Sequence, residues 1–174
     1  MKSSDIEIRR LGPADATAYR ELRLRGLREN PDAFTSSHDE EAARPPDAVL
    51  ARLGANGLDT VYGAFSAAML VGVVGVGREP RAKNRHKATV FGMYVAPEHA
   101  RRGIGMALLR HAIDEARRQP GLRQLVLTVT DSNAAARTMY EKFGFRSFGV
   151  EPDAIRVGDD FFDKNHMILF LAQP

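Results

Sequence analysis

From Met93 to Leu109 the chain reads Met-Tyr-Val-Ala-Pro-Glu-His-Ala-Arg-Arg-Gly-Ile-Gly-Met-Ala-Leu-Leu. This is a strand stopped at Pro97, a short loop, and a helix that begins at Gly103 and Gly105 behind Arg101 and Arg102. The first turn of a helix has unpaired backbone N–H groups and the positive end of the helix dipole, which together suit a phosphate. Glycine there lets a ligand reach the main chain with no Cβ in the way. Two familiar phosphate binders are excluded by the residues themselves. A dinucleotide fingerprint needs a third small residue where Leu108 stands, and an acidic residue downstream where Arg123 and Gln124 stand. A P-loop needs Lys followed by Ser or Thr after the glycines, and that pair is missing.

A second run with chemistry in it lies at Val129-Thr130-Asp131-Ser132-Asn133-Ala134-Ala135-Ala136-Arg137-Thr138-Met139-Tyr140-Glu141-Lys142-Phe143-Gly144-Phe145. Asp131, Ser132 and Asn133 are helix N-capping types, and Gly144 sits where a helix end prefers glycine. The helix between them brings Asn133, Ala136 and Tyr140 to one face, an amide, a small residue and a phenol.

Together the two runs resemble the GCN5-related N-acetyltransferases. The acyl-CoA signature of that family is written Q/R-x-x-G-x-G/A. Gly103 and Gly105 fill its small positions, and Ala100 stands where the family prefers Gln or Arg. The second run matches N-x-x-A-x-x-(Leu/Met)-Tyr-Glu-Lys-x-Gly-Phe. The match is close from Lys87 to Phe148 and continues elsewhere in element order. The resemblance implies a mixed α/β (α+β) fold, with a mostly antiparallel central sheet splayed at an acyl-CoA cleft and flanked by helices.

It also implies a cofactor and a site. Acetyl-CoA would lie where the strand ending at Val95 parts from the strand Leu125–Thr130. The main chain of Met93, Tyr94 and Val95 would face the pantetheine arm, and the Val95 N–H would stabilise the tetrahedral oxyanion. Amides of Arg101, Arg102, Gly103, Ile104, Gly105, Met106 and Ala107 would bind pyrophosphate. Asn133, beside Ala136, would hold the cofactor or the second substrate across the cleft. Tyr140 would protonate the departing CoA thiolate. Many family members carry a Glu in the strand before the glycine loop, but here that strand reads Thr89-Val90-Phe91-Gly92. The base that frees the amine therefore falls to Glu41 first, then to Glu40, Glu98 or His166, or to ordered water. The run Asp39-Glu40-Glu41 could equally attract a cationic amine. The histidines show no metal-ligand spacing, and no Ser/His/Asp signature is visible.

Several elements must position these residues. Ile6–Arg10 alternates as a strand, and Pro13 opens a helix to about Arg28 that ends at Asn30-Pro31. Residues 32–46 read as a polar loop, and Pro45-Pro46 starts a helix to about Leu53. Thr60–Ser66 and Ala68–Gly77 form a hairpin, and Arg78 to His86 is a basic loop. Ala88–Val95 is a strand interrupted at Gly92, a candidate bulge. The next helix, Gly103 to Gln119, buries Ile104, Leu108, Ala112, Ile113 and Ala116 and turns Arg110, Asp114, Arg117 and Arg118 to water. Leu125–Thr130 reads as a central strand covered on both faces. Arg146–Pro152 and Phe161–Leu171 close the sheet around a turn at Val157-Gly158-Asp159-Asp160.

At 174 residues, 44% hydrophobic and 27% charged, the chain suits one domain spanning 1–174. A net charge of +3 with interspersed signs does not indicate nucleic-acid binding. No apolar run is of membrane-spanning length, and Met1–Asp5 lacks a signal-peptide core, so a cytoplasmic location is expected. The chain has no cysteine, so no thiol acyl-enzyme can form and direct transfer through a ternary complex is the simplest route. The expected activity is transfer of acetyl to a primary amine of a small molecule or peptide; a homodimer is compatible with the sequence. The alternative is a non-catalytic acyl-CoA-binding sensor or partner module. Tyr140 favours catalysis, since binding alone needs no acid near the sulfur.

Overall fold

The computed structural model describes residues 6–55 and 57–171. The opening Met1–Asp5, read above for a leader, lies outside them. Seven strands form one sheet: β1 (Ile6–Arg10), β2 (Asp59–Ser66), β3 (Met69–Arg78), β4 (Lys87–Val95), β5 (Gln124–Thr130), β6 (Arg146–Val157) and β7 (Asp160–Phe170). Their spatial order is β1-β2-β3-β4-β5-β7-β6. Every neighbouring pair is antiparallel except β4 and β5, which run parallel. The helices are α1 (Ala16–Glu29), α2 (His38–Ala42), α3 (Pro46–Leu53), α4 (Ile104–Arg117) and α5 (Ala134–Lys142). The mixed, mostly antiparallel sheet flanked by helices is the expected fold.

Each face of the sheet is covered by its own core. On one face, α4 seats Ile104, Leu108, Leu109, Ala112, Ile113 and Ala116 against Val71, Val74, Leu125 and Leu127. The expected α4 stripe is thus buried, with Leu109 added to it. On the other face, α1 and α3 bring Tyr19, Leu22, Val49 and Leu53 against Val61, Val73 and Tyr94. The Tyr94 ring lies so close to α1 that a Cβ on Gly26 would stand 2.9 Å from it. Above that contact the Tyr94 hydroxyl donates to Glu29 at 2.5 Å.

Three expectations are corrected. The stretch 32–46 is not all loop: Ser37 accepts from the Glu40 N–H while the Glu40 carboxylate accepts from the Ser37 N–H, a capping box that nucleates α2. The helix expected from Pro13 begins as a tight turn, Pro13–Asp15, before α1 proper. β5 is not covered on both faces, because Leu125, Leu127 and Val129 are buried while Thr128 is exposed. An apolar run with one polar member looks doubly covered in sequence; alternation decides it. At Gly92 the expected irregularity is present. Its φ is +61°, and the β3–β4 register slips there, from Gly75 opposite Phe91 to Val73 opposite Tyr94. An extra residue in one strand bends it and re-aims the side chains beyond the bend.

Candidate active site

β4 and β5 pair only through Lys87–Gln124, Ala88–Leu125 and Thr89–Val126. From Val90 onward they diverge, while β5 stays paired with β7 as far as Thr130–Lys164. The Ala96 N–H donates to Val71 O on the β3 side. Main-chain groups alternate along a strand, so the Val95 N–H points the other way, into the gap. This leaves a row of unpaired peptide groups on the edge of β4, ready to receive a ligand strand.

The gap opens into a cleft of about 740 Å³ walled by Val95, the turn at His99–Arg101, the first turn of α4 and the α5 residues Ala134, Ala135, Thr138 and Met139. Of the expected phosphate loop, Arg101, Gly103, Ile104, Gly105 and Met106 line it. Arg101 and Gly103 hold φ of +59° and +77°, so the chain turns sharply into the helix. Gly103 takes that conformation without strain, whereas a non-glycine such as Arg101 holds it at a cost of about 1–2 kcal/mol. The Ala107 N–H bonds to Gly103 O within α4, so the amides free for an anion stop at Met106. Arg102 and Ala107 do not face the cleft among its lining residues. A Cβ on Gly105 would lie 3.5 Å from Met93 Cε, 3.7 Å from Met139 Sδ and 3.9 Å from Val95 Cγ2. Its bare backbone is therefore floor for the cleft where β4 and α5 meet.

A smaller hollow of about 100 Å³ adjoins the gap. Asn133, Ala136 and Tyr140 line it together with Phe34, Gly92, Met93 and Thr130, so the three residues expected on one helix face do share a site. Asn133 also caps α5, its Oδ1 accepting from the Ala136 N–H at 3.1 Å. The buried Tyr140 ring meets Phe145 edge-on at 5.8 Å, and its hydroxyl donates to Met93 Sδ at 3.6 Å. A thioether is a weak acceptor that a better one displaces. Burial pushes the Tyr140 hydroxyl up to about 12. Tyr94, by contrast, presents only its main chain, because its ring faces α1.

The candidate bases are otherwise engaged. Glu41 is buried in α2 and pairs with Arg52 at 3.3 Å and Arg44 at 3.7 Å. Glu40 caps α2. Glu98 takes both arms of Arg25 at 2.7 and 2.8 Å, and that pairing lowers its carboxyl to about 2. His166 meets Glu151 at 3.0 Å. None of the four lines the cleft or the small hollow.

Sequence reading missed two buried cations beside the hollow. Lys164 Nζ donates to Asp32 O, Ala33 O and Thr130 Oγ1 at 3.2, 3.1 and 2.9 Å, which uses all three of its protons and fastens the segment leading to Phe34. Burial lowers its affinity for the third proton. Arg23 sits 4.7 Å over the Phe34 ring, and its buried Nη1 has no hydrogen-bond partner among the described residues. One signal was available for it. Arg23 falls on the same face of α1 as Tyr19, Leu22, Gly26 and Leu27, where a charge is out of place.

Comparison with known proteins shows the family and the fold. Over 59 residues the chain is 48% identical to the [ribosomal protein bS18]-alanine N-acetyltransferase of Escherichia coli K12, covering 34% of this chain and 39% of that protein. Over 65 residues it is 42% identical to the streptothricin acetyltransferase of Streptomyces lavendulae, covering 37% of this chain and 34% of that one. These matches thus span about two fifths or less of the curated relatives. Solved structures match over nearly the whole length. A GNAT-family acetyltransferase from Streptococcus pneumoniae superposes with a TM-score of 0.85 at 25% identity, over 96% of this chain and 99% of that one. The Salmonella typhimurium protein yncA, solved with its cofactor acetyl-CoA, gives 0.85 at 25% identity over 98% and 96%. The sequence profile of the acetyltransferase (GNAT) family matches residues 24–145, well over half of the chain, from the middle of α1 to just past the helix carrying Tyr140. The chain belongs to the acetyltransferase (GNAT) family.

Proposed function

We propose that the chain is an acetyl-CoA-dependent N-acetyltransferase that passes the acetyl group directly to a primary amine of a small molecule or peptide. The observation that carries this reading is the meeting, at Met93, of a free strand edge and a buried phenol. The cleft with its phosphate-suited helix start opens beside them. Pyrophosphate would rest on the amides of Arg101 and of Gly103 to Met106, with Arg101 adding charge, and pantetheine along Met93 to Val95. The amine nitrogen attacks the thioester carbonyl carbon, forming the C–N bond. The carbonyl oxygen takes the negative charge and accepts from the Val95 N–H, a contact worth on the order of 3 kcal/mol in comparable sites. Collapse breaks the C–S bond, and the thiolate takes its proton from Tyr140. The dry surroundings that hold the phenol proton on also raise the thiolate's affinity for it, so donor and acceptor are drawn together.

The amine's own proton leaves through water, since Glu41 stays with its arginines as a counter-ion. The relatives named for ribosomal protein bS18 alanine and for streptothricin are consistent with an amine acceptor of either kind. No helix among the described residues is long and apolar enough to cross a membrane, in keeping with a cytoplasmic enzyme. The exposed β6–β7 hairpin, with Phe148, Val150 and Phe161, is where a homodimer would form.

Acetyl-CoA at a hundredfold excess over its Kd should stabilise the protein by about 2.7 kcal/mol. Gly105→Glu would drive a charged side chain from the floor of the cleft into the space the cofactor would fill, and should abolish that gain with little change to the unliganded fold. A wild-type thermal shift in the variant rejects the phosphate loop. Acetyl-CoA binding without acetylation of any amine in a mass-detected panel would favour the sensor module.

A further inference from the structure

Arg23 lies on α1, the helix that covers the face of β4 opposite α4 and α5. Its guanidinium is stacked over Phe34, and Nη1 is sealed from solvent with no acceptor among the described residues. A Cβ built on Gly92 would fall 3.6 Å from that nitrogen, so the bare side of the bulge faces it. Gly92 and Phe34 both line the small hollow, and Gly92 precedes Met93, whose sulfur receives the Tyr140 hydroxyl. The surrounding charges do not balance. Glu41 serves Arg52 and Arg44, and Asp59 pairs with Arg52 at 3.5 Å, so two carboxylates answer three guanidinium groups with Arg23 left over. Arg23 feels the Glu41 carboxylate only at a distance, and burial outweighs that help; a buried cation without a bonded partner is destabilising unless something arrives to satisfy it.

We propose that Arg23 binds a carboxylate on the acceptor, so that the substrate class is an amine with a carboxylate a few atoms away, an amino acid or a short peptide acid. This rests on the amine-acceptor reading above. Consecutive Cα atoms are about 3.8 Å apart, so a group held beside Gly92 keeps an amine a few atoms on within reach of Met93, where the thioester would lie. A guanidinium fork suits a carboxylate better than an amide carbonyl, because it can give two parallel bonds and neutralise the charge.

The test separates recognition from turnover. Protein saturated with CoA is titrated calorimetrically with free L-amino acids and dipeptides, and with the C-terminal amide of each. At least one acid should bind about tenfold or more tightly than its amide. Arg23→Met should erase the difference by weakening the acid alone, and Arg23→Lys, which keeps the charge without the fork, should restore part of it. Unliganded Arg23→Met should also melt about 2–4 °C higher, since it removes an unsatisfied buried charge. If Arg23→Met does not fold, Arg23→Gln supplies the same comparison. Equal binding of acids and amides, binding of no acid, or a preference that survives loss of the guanidinium overturns the proposal. Acids that bind through Arg23 and are never acetylated would count against amine transfer and leave the carboxylate site standing.

Discussion

At Tyr140, burial suits the role proposed for the phenol. With its hydroxyl pushed up to about 12, the phenol is fully protonated wherever the protein works, so the proton is always present to give. Tyr140→Phe removes one oxygen and keeps the ring against Phe145. We expect kcat to fall by about 10²–10⁴-fold while KM for acetyl-CoA holds, as for a contact made only in the transition state. An unchanged kcat would reduce Tyr140 to a core aromatic. The raised value has a second consequence. The unfolded phenol titrates near 10 and the folded one near 12, so stability is intact below about pH 10. It falls as pH rises through the interval, by on the order of 2 kcal/mol from this group. Denaturant titrations across that interval should give a flatter slope for the Phe variant. The places of Tyr140 and Asn133 by the hollow and of the two glycines by the cleft were legible in the sequence, because each sits in a short run whose spacing fixes its surroundings. Arg23 and Glu41 were not, for their partners Phe34 and Arg52 come from other elements, and only the folded chain says which charge goes unanswered.

Among the elements, the bulged β4 and its early parting from β5 do most to make a site. The sequence marked the bulge through Gly92 but was silent on where pairing with β5 stops, since registers between distant strands leave no local trace. It was also silent on Lys164. That lysine reaches from β7 to the carbonyls of Asp32 and Ala33 and fixes the segment carrying Phe34 to the end of β5. Lys164→Met keeps the apolar stem and removes all three donors. It should cost about 2 kcal/mol through the carbonyls left bare. The KM for the amine should rise several-fold while that for acetyl-CoA, bound across the sheet, stays near its original value. Equal changes in both constants would mean that the segment has no separate hold on the acceptor. The short α2 shows how a local signal can be overlooked: Ser37 and Glu40 have capping-box spacing, but no apolar period comes after them to announce a helix.

For the molecule as a whole, the two cores divide the work. On the proposed reading the face under α4 and α5 would support the cofactor, and the face under α1 and α3 the acceptor. The two substrates would then meet only where the sheet opens, which calls for both to be bound at once. Initial rates at varied amine should give intersecting lines. Parallel lines with an acetylated protein in the mass spectrum would overturn direct transfer. Since the chain contains no cysteine, released CoA can be tracked with a thiol reagent free of background from the protein. The unpaired edge of β4 has a broader implication, for how such a protein can change. Peptide groups are the same whatever residue carries them, so a ligand read by the main chain places few demands on side chains. Structures at 25% identity share this fold to a TM-score of 0.85, so most side chains can change while the main-chain frame stays. On the proposed reading the gap in the sheet would work as a universal socket, and new amines could be recruited by altering the opposite wall without renegotiating the hold on the acyl donor.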